Sequence, residues 1–487
     1  MKRTVLIILL CVFGVAAAQT PREDYEAWKN QQKKNYSDYR QQRQNDYNAW
    51  RKKANEEYTE WLKGEWAKIK GHEAIPVPEE PKPPRPVVAP EPMPKPPIVI
   101  PYEEVVPVIP EKQPVPLVPV PDIEEEQPKV MMLDYYHTPV TIHVDVDQKV
   151  MLKNLTGDAL SKAWENMSDG RFDPLLKDCI ETKKKLALSD WGYISLARQL
   201  ASRLYGKESN GAKLFEEWVL MQSGYKVRLA STDKNVLYLL VAFDEEVFNM
   251  SYLESESGRF YVIGCQSQEM FSFLDRGFDG EQTATLSLRL PRLDQSRCAS
   301  RRIASKRYPA MSLSVVEDKN LISYLNDYPK VAGNWNLYAN ASLSQSVKDQ
   351  IYPELRRLLA NKNQREKLNL LLNWIQTGLE YEYDEKQFGG ERSLFADETL
   401  YYPYCDCEDR SILLSVLVKD LVGLDVVLLH FPGHLAAAVH FTENVDGDNL
   451  IIDGKKYIIC DPTYIGAPVG MAMPECKNAK VRVFKLK

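Results

Sequence analysis

From Tyr25 to Trp61 the large apolar positions are aromatic and recur at one period. Tyr25/Trp28, Tyr36/Tyr39, Tyr47/Trp50 and Tyr58/Trp61 are i, i+3 pairs spaced eleven residues apart. Eleven residues are close to three α-helical turns, so the rings share one stripe. No proline interrupts Arg22 to Ile75. The pattern predicts a helix over residues 24–70, within a segment 20–74, of about 70 Å at about 1.5 Å per residue. A chain without a Leu/Ile seam is a poor tight coiled coil. The stripe therefore stays open as a self-associating stalk or as a stacking surface for a glycan or a partner helix.

Residues 75–128 alternate proline with Val, Glu and Lys and hold 19 of the 31 prolines. No core can form there, and the pattern predicts a polyproline spacer. From residue 129 helix and strand periods return, with an α/β domain expected over 129–310 and a second domain over 311–487. In the latter, apolar residues 412, 413, 416, 417 and 421 have helical spacing that Gly423 ends. Strands are expected at 424–429, at 434–439 beyond the Pro432-Gly433 turn, and at 456–460, where Pro462 stops extension. The helix–glycine–strand pattern also occurs 199 residues earlier: Ala212–Leu229 parallels Ser411–Leu428, with Gly224 in the place of Gly423. A worn copy of the same unit is expected over residues of about 155–275.

Composition adds an address. Lys2 and Arg3, an apolar run from Val5 and the small residues Ala16-Ala17-Ala18 predict a cleaved secretory leader over residues 1–18. The run is too short to span a bilayer well, so the chain is expected to be exported to the periplasm, the cell envelope or the medium. Net charge is −6, or −8 without Lys2 and Arg3, which excludes a global nucleic-acid footprint. Collagen and multi-pass membrane classes are excluded as well. A local exception is residues 289–307, where six arginines and Lys306 face Asp294 alone: a solvated face, or a contact for an anionic polymer. Seven of eight cysteines lie beyond the leader, an odd number that leaves at least one thiol unpaired in a monomer. Cys460–Cys476 and Cys405–Cys460 are the open disulfide options.

Three short elements carry chemistry. Cys407 is expected at the first turn of a buried helix, where unpaired amides and the positive dipole end favour a thiolate and can hold an oxyanion. His434 opens a strand, and Asp461 ends one. A thiol nucleophile, an imidazole to take its proton and a carboxylate to fix the imidazole are the parts of a cysteine hydrolase. Cys405 is a second possible nucleophile, and Cys405, Cys407, Cys460 and His434 could instead bind zinc. Glu408 and Asp409 read as helix N-terminal charges, with Arg410 a possible partner of one of them.

Residues of about 330–475 resemble the transglutaminase-like superfamily, in particular its bacterial cysteine-peptidase-like branch. The matching motifs are Cys-Glu-Asp-Arg-Ser-Ile-Leu-Leu at 407–414, Gly-His-Leu-Ala at 433–436 and Asp-Pro-Thr at 461–463. The helix expected at 365–381 and Phe388-Gly389-Gly390-Glu391-Arg392 are similar too. The resemblance implies an α+β, papain-like core, with Cys407 as nucleophile, His434 as base and Asp461 as its orienter. No residue clearly matches an extra oxyanion donor; Tyr402 and Tyr404 are candidates by position. In the worn copy Glu208 and Asn235 stand where Cys407 and His434 would, and no aspartate follows the third strand. The expected activity is acyl transfer on a peptide or protein substrate, chiefly hydrolysis, with no cofactor or metal. The alternative is a non-catalytic scaffold of the cell envelope, gripping a partner through the aromatic helix.

Overall fold

The computed structural model describes residues 21–64, 67–76, 86–90, 96–108, 129–265, 269–331 and 333–487; the leader expected at residues 1–18 lies outside them. The chain mixes helix and strand, an α+β composition, and divides into two units, residues 1–53 and 54–487. No described helix is long and apolar enough to cross a membrane.

The aromatic repeat forms helix α1 (Pro21–Leu62), 42 residues or about 63 Å long. It ends earlier than expected. Gly64 follows, a poor helix residue, and Ala67–Lys70 is drawn into a sheet as strand β1. Tyr25 stacks with Trp28 at 6.0 Å between ring centroids. Tyr25, Trp28, Tyr36 and Tyr39 are 56–65% exposed. The last repeat is different, because Tyr58 is buried against Trp164 (4.5 Å) and Phe278 (5.9 Å). Beside it Asn55 Oδ1 accepts from Trp164 Nε1, Ser168 Oγ and Gln222 Nε2.

The proline-rich segment, expected to be a spacer, is in its described parts a strap on the C-terminal sheet. Glu104–Val106 forms strand β2, Ile100 N–H donates to Asn449 O (2.7 Å), and Ala89 N–H donates to Ile465 O (2.8 Å). Proline removes its own donor but leaves its neighbours' amides free to pair, so isolated Val, Ile and Ala positions make these bonds.

Two six-stranded sheets follow. Helix α2 (Asn210–Gln222) leads into β3 (Val227–Thr232), β4 (Leu237–Val241), β5 (Tyr252–Ser255), β6 (Gly258–Val262) and β7 (Met270–Phe273), in the spatial order β1-β7-β3-β4-β6-β5. Two further helices carry the site, α3 (Gln364–Gly378) and α4 (Cys407–Val422). The latter leads into β8 (Asp425–Phe431), β9 (His434–His440), β10 (Asn449–Ile452), β11 (Lys455–Cys460) and β12 (Arg482–Lys485), in the order β2-β12-β8-β9-β11-β10. Neighbours are antiparallel throughout except β2 with β12. In both sheets a helix, a left-handed glycine (Gly224, φ 91°; Gly423, φ 72°) and five strands recur in one spatial order: fifth, first, second, fourth, third. The repeat seen in the sequence thus extends to strand order. Alternate residues of the second sheet, including Val427, Leu429, Ala436, Ala438, Ile452, Ile459 and Val483, form one buried cluster with Ile100 of the strap.

Candidate functional site

Asp406 caps α4, so Cys407 is its first residue, and Gly423 ends it in the left-handed conformation expected. The helix is tied to the sheet where Ser411 Oγ donates to Leu435 O (3.0 Å). The left-handed Gly433 (φ 71°) closes the Pro432-Gly433 turn, and His434 opens β9 directly after it. β11 ends at Cys460, leaving Asp461 just past the strand. Cys407, His434 and Asp461 are all buried.

His434 Nε2 and Asp461 Oδ2 are 2.9 Å apart. The other ring nitrogen, Nδ1, is buried without a hydrogen-bond partner. Asp461 is itself held. Its Oδ1 accepts from the amides of Thr463 (2.8 Å) and Tyr464 (3.2 Å). Buried Gln376 of α3 donates from Nε2 to the carbonyls of Asp461, Tyr464 and Ala467, and accepts from Gly466 N–H. The residue after His434 also acts on the third member, since the Leu435 backbone favours the Cys407 thiolate.

That favour is outweighed. Burial pushes the Cys407 thiol well above its ordinary value, and the neighbouring Glu408 and Asp406 push it the same way. The expected thiolate at the helix N-terminus is therefore a neutral thiol in this state, and Cys407 Sγ donates to Glu408 Oε2 (3.2 Å) rather than to His434. The dipole acts over a single turn, whereas burial and two carboxylates act at contact range.

Several neighbouring residues depart from expectation. Cys405 donates to Glu380 O (3.6 Å) and receives Arg410 Nε (3.5 Å). Arg410 pairs with neither Glu408 nor Asp409; its Nη2 donates to Leu379 O, and its guanidinium lies over the Tyr381 ring. Asp409 works as a cap, accepting from the amides of Leu394 and Asp406. Tyr402 donates its hydroxyl to Asn326 Oδ1 (2.6 Å), which occupies it, and the Tyr404 backbone pairs with the Gln387 amide. Tyr381 fits better. Its buried hydroxyl has no partner, and burial first and then the nearby Cys407 disfavour its ionisation. Cys405, Cys460 and Cys476 are free thiols, so neither of the two disulfide options forms.

The four residues weighed for zinc do not converge. Instead, Asp384, Glu391, Asp406 and Glu408 each bring a carboxylate oxygen within 4.8 Å of the others. Asp384 Oδ1 and Asp406 Oδ1 are buried and unpartnered. Burial and mutual repulsion push Asp384 up to about 10 and Glu408 up to about 8. Clustered hard oxygens with unused lone pairs suit a calcium-like divalent cation. Asp384 and Glu391 reach the cluster only through the fold, and the sequence gives them no metal-ligand spacing. In the first sheet Glu208 pairs with Lys213 (3.1 Å) and Asn235 sits in a turn, so no comparable trio forms there.

No family model, curated protein or solved structure matches the chain.

Proposed function

We propose that the chain is an exported transglutaminase-like cysteine enzyme, with a papain-like core in its C-terminal half, that hydrolyses amide bonds of peptide or protein substrates. One observation carries the reading: His434 is fixed at Nε2 by Asp461 while its buried Nδ1 is left without a partner. A buried imidazole nitrogen with no partner costs stability unless it has a task.

In this mechanism Nδ1 takes the Cys407 proton as the thiol turns from Glu408 toward it on substrate binding, since catalytic contacts tighten in the complex. The sulfur attacks the carbonyl carbon. Amides of the first α4 turn and the Tyr381 hydroxyl receive the oxyanion. Collapse expels the amine, which leaves with the proton held by His434. Water then attacks the thioester, giving a proton to His434; collapse breaks the C–S bond, the acyl group leaves as a carboxylic acid, and the proton returns from His434 to the Cys407 sulfur.

Turnover of a peptide library by the full chain tests this. Cys407→Ser and His434→Ala should abolish cleavage with the fold intact by circular dichroism. Tyr381→Phe should lower kcat by about 10²–10³-fold at an unchanged KM, as loss of one oxyanion donor does. A substrate-like peptidyl chloromethyl ketone should alkylate Cys407 more slowly in His434→Ala. Cleavage that survives both triad changes would sink the assignment. The resting Cys407–Glu408 contact favours the second reading, a non-catalytic scaffold, and that reading gains if no substrate is turned over and Cys407 alkylation ignores His434.

A further inference from the structure

The aromatic stripe of α1 is a face whose covering partner the sequence itself specifies. We infer that residues 25–43 pair in parallel with the same segment of a second copy of this chain. The inference is independent of the enzymatic reading.

Three observations carry it. First, the repeat is stricter than a ring count suggests. Tyr25-x-x-Trp28-Lys29, Tyr36-x-x-Tyr39-Arg40 and Tyr47-x-x-Trp50-Arg51 share one five-residue pattern. A second helix with the same eleven-residue period meets it ring pair for ring pair along its whole length, in a gentle right-handed supercoil. Second, the fourth repeat shows the chemistry that covers such a ring: Tyr58 lies among Trp164 and Phe278, with its hydroxyl on Glu217 Oε1 (3.0 Å). Protein aromatic surface covers the ring there, while Tyr25, Trp28, Tyr36 and Tyr39 remain exposed.

Third, the two flanks of the stripe differ in charge. At about 100° per residue, Lys29, Lys33 and Arg40 fall on one side. Asn35, Gln42 and Asp46 fall on the other, where Gln31 donates to Asn35 (2.8 Å) and Gln42 to Asp46 (2.7 Å). Parallel helices place opposite flanks together, so Lys29, Lys33 and Arg40 of one copy meet the acceptors of the other, while Arg43 on the midline faces its own counterpart. Antiparallel helices would place cations on cations.

Sedimentation equilibrium of the full chain, together with bis-maleimide crosslinking, tests this. Gln32 and Arg43 lie on the midline of the stripe, eleven residues apart. Gln32→Cys and Arg43→Cys should each crosslink to itself well above the background of the natural cysteines. Tyr36→Ala combined with Tyr39→Ala should return the chain to a single copy while far-ultraviolet helix content is kept. Three results would overturn the inference: one-copy mass at every concentration the protein tolerates, crosslinks only when the two cysteine variants are mixed, or a one-copy chain retained by a heparin-like polysaccharide. The second means antiparallel pairing. The third means that the stripe takes an anionic polymer.

Discussion

Glu408 touches both chemistries of the site. It receives the Cys407 thiol, and it belongs to a group of four carboxylates with two unpartnered buried oxygens. Such a group is costly when empty, because each charge lost from water must be repaid by a partner. Calcium should therefore stabilise the chain: at about 100 times its dissociation constant a ligand specific to the folded state adds about 2.7 kcal/mol. Differential scanning fluorimetry with calcium against chelator should show an upward shift that Glu408→Gln removes. Identical melting temperatures and no cation by elemental analysis would show the cluster to be unoccupied. The local positions of Cys407, His434 and Asp461 were legible in the sequence, because each sits beside its own signal: a helix start, a Pro-Gly turn, a strand stop. Tyr381, Gln376 and Asp384 were not. They reach the site from other elements by packing, and nothing in their local sequence marks their direction.

Whole elements show the same divide. Periodicity placed α4, β8, β9 and β11 closely, because buried strands and a buried helix keep their apolar spacing. It overran α1, where residues 67–70 have no strand signal of their own and pair only because β7 offers an edge. It also missed the strap. Ile100 is flanked by Pro101 and reads as linker, yet it is 1% exposed and belongs to the core of the second sheet. Ile100→Ala should therefore cost about 2–5 kcal/mol, the range for a buried aliphatic truncation, read as a lower urea midpoint. A change within error would mean that the proline-rich segment rests on the sheet without holding it.

Over the whole molecule, buried carboxyl groups set the pH response. Burial pushes Glu217, against Tyr58, up from 4.5 to about 8, and Glu317, both of whose oxygens are unpartnered, up to about 10, with Asp397 adding repulsion. The folded state holds both protons more tightly than the unfolded chain does. Their contribution to stability is complete below about 4.5 and is lost as pH rises through about 8 and then about 10. Melting temperature should decline steadily from pH 6 to pH 10, and Glu217→Gln should flatten the part near pH 8. A stability profile that rises over that range would contradict these protonation states.

The strap also sets a schedule. Glu104 of β2 meets Arg482 of β12 across 378 residues, one of the longest loops this chain can close. Contacts so far apart in sequence form late, since the entropy of closure is spent before any contact rewards it. During synthesis the strap emerges first and waits for its partner strand across a separation of 378 residues. In that interval the apolar side of the second sheet stays open, and the chain is at its most vulnerable to aggregation.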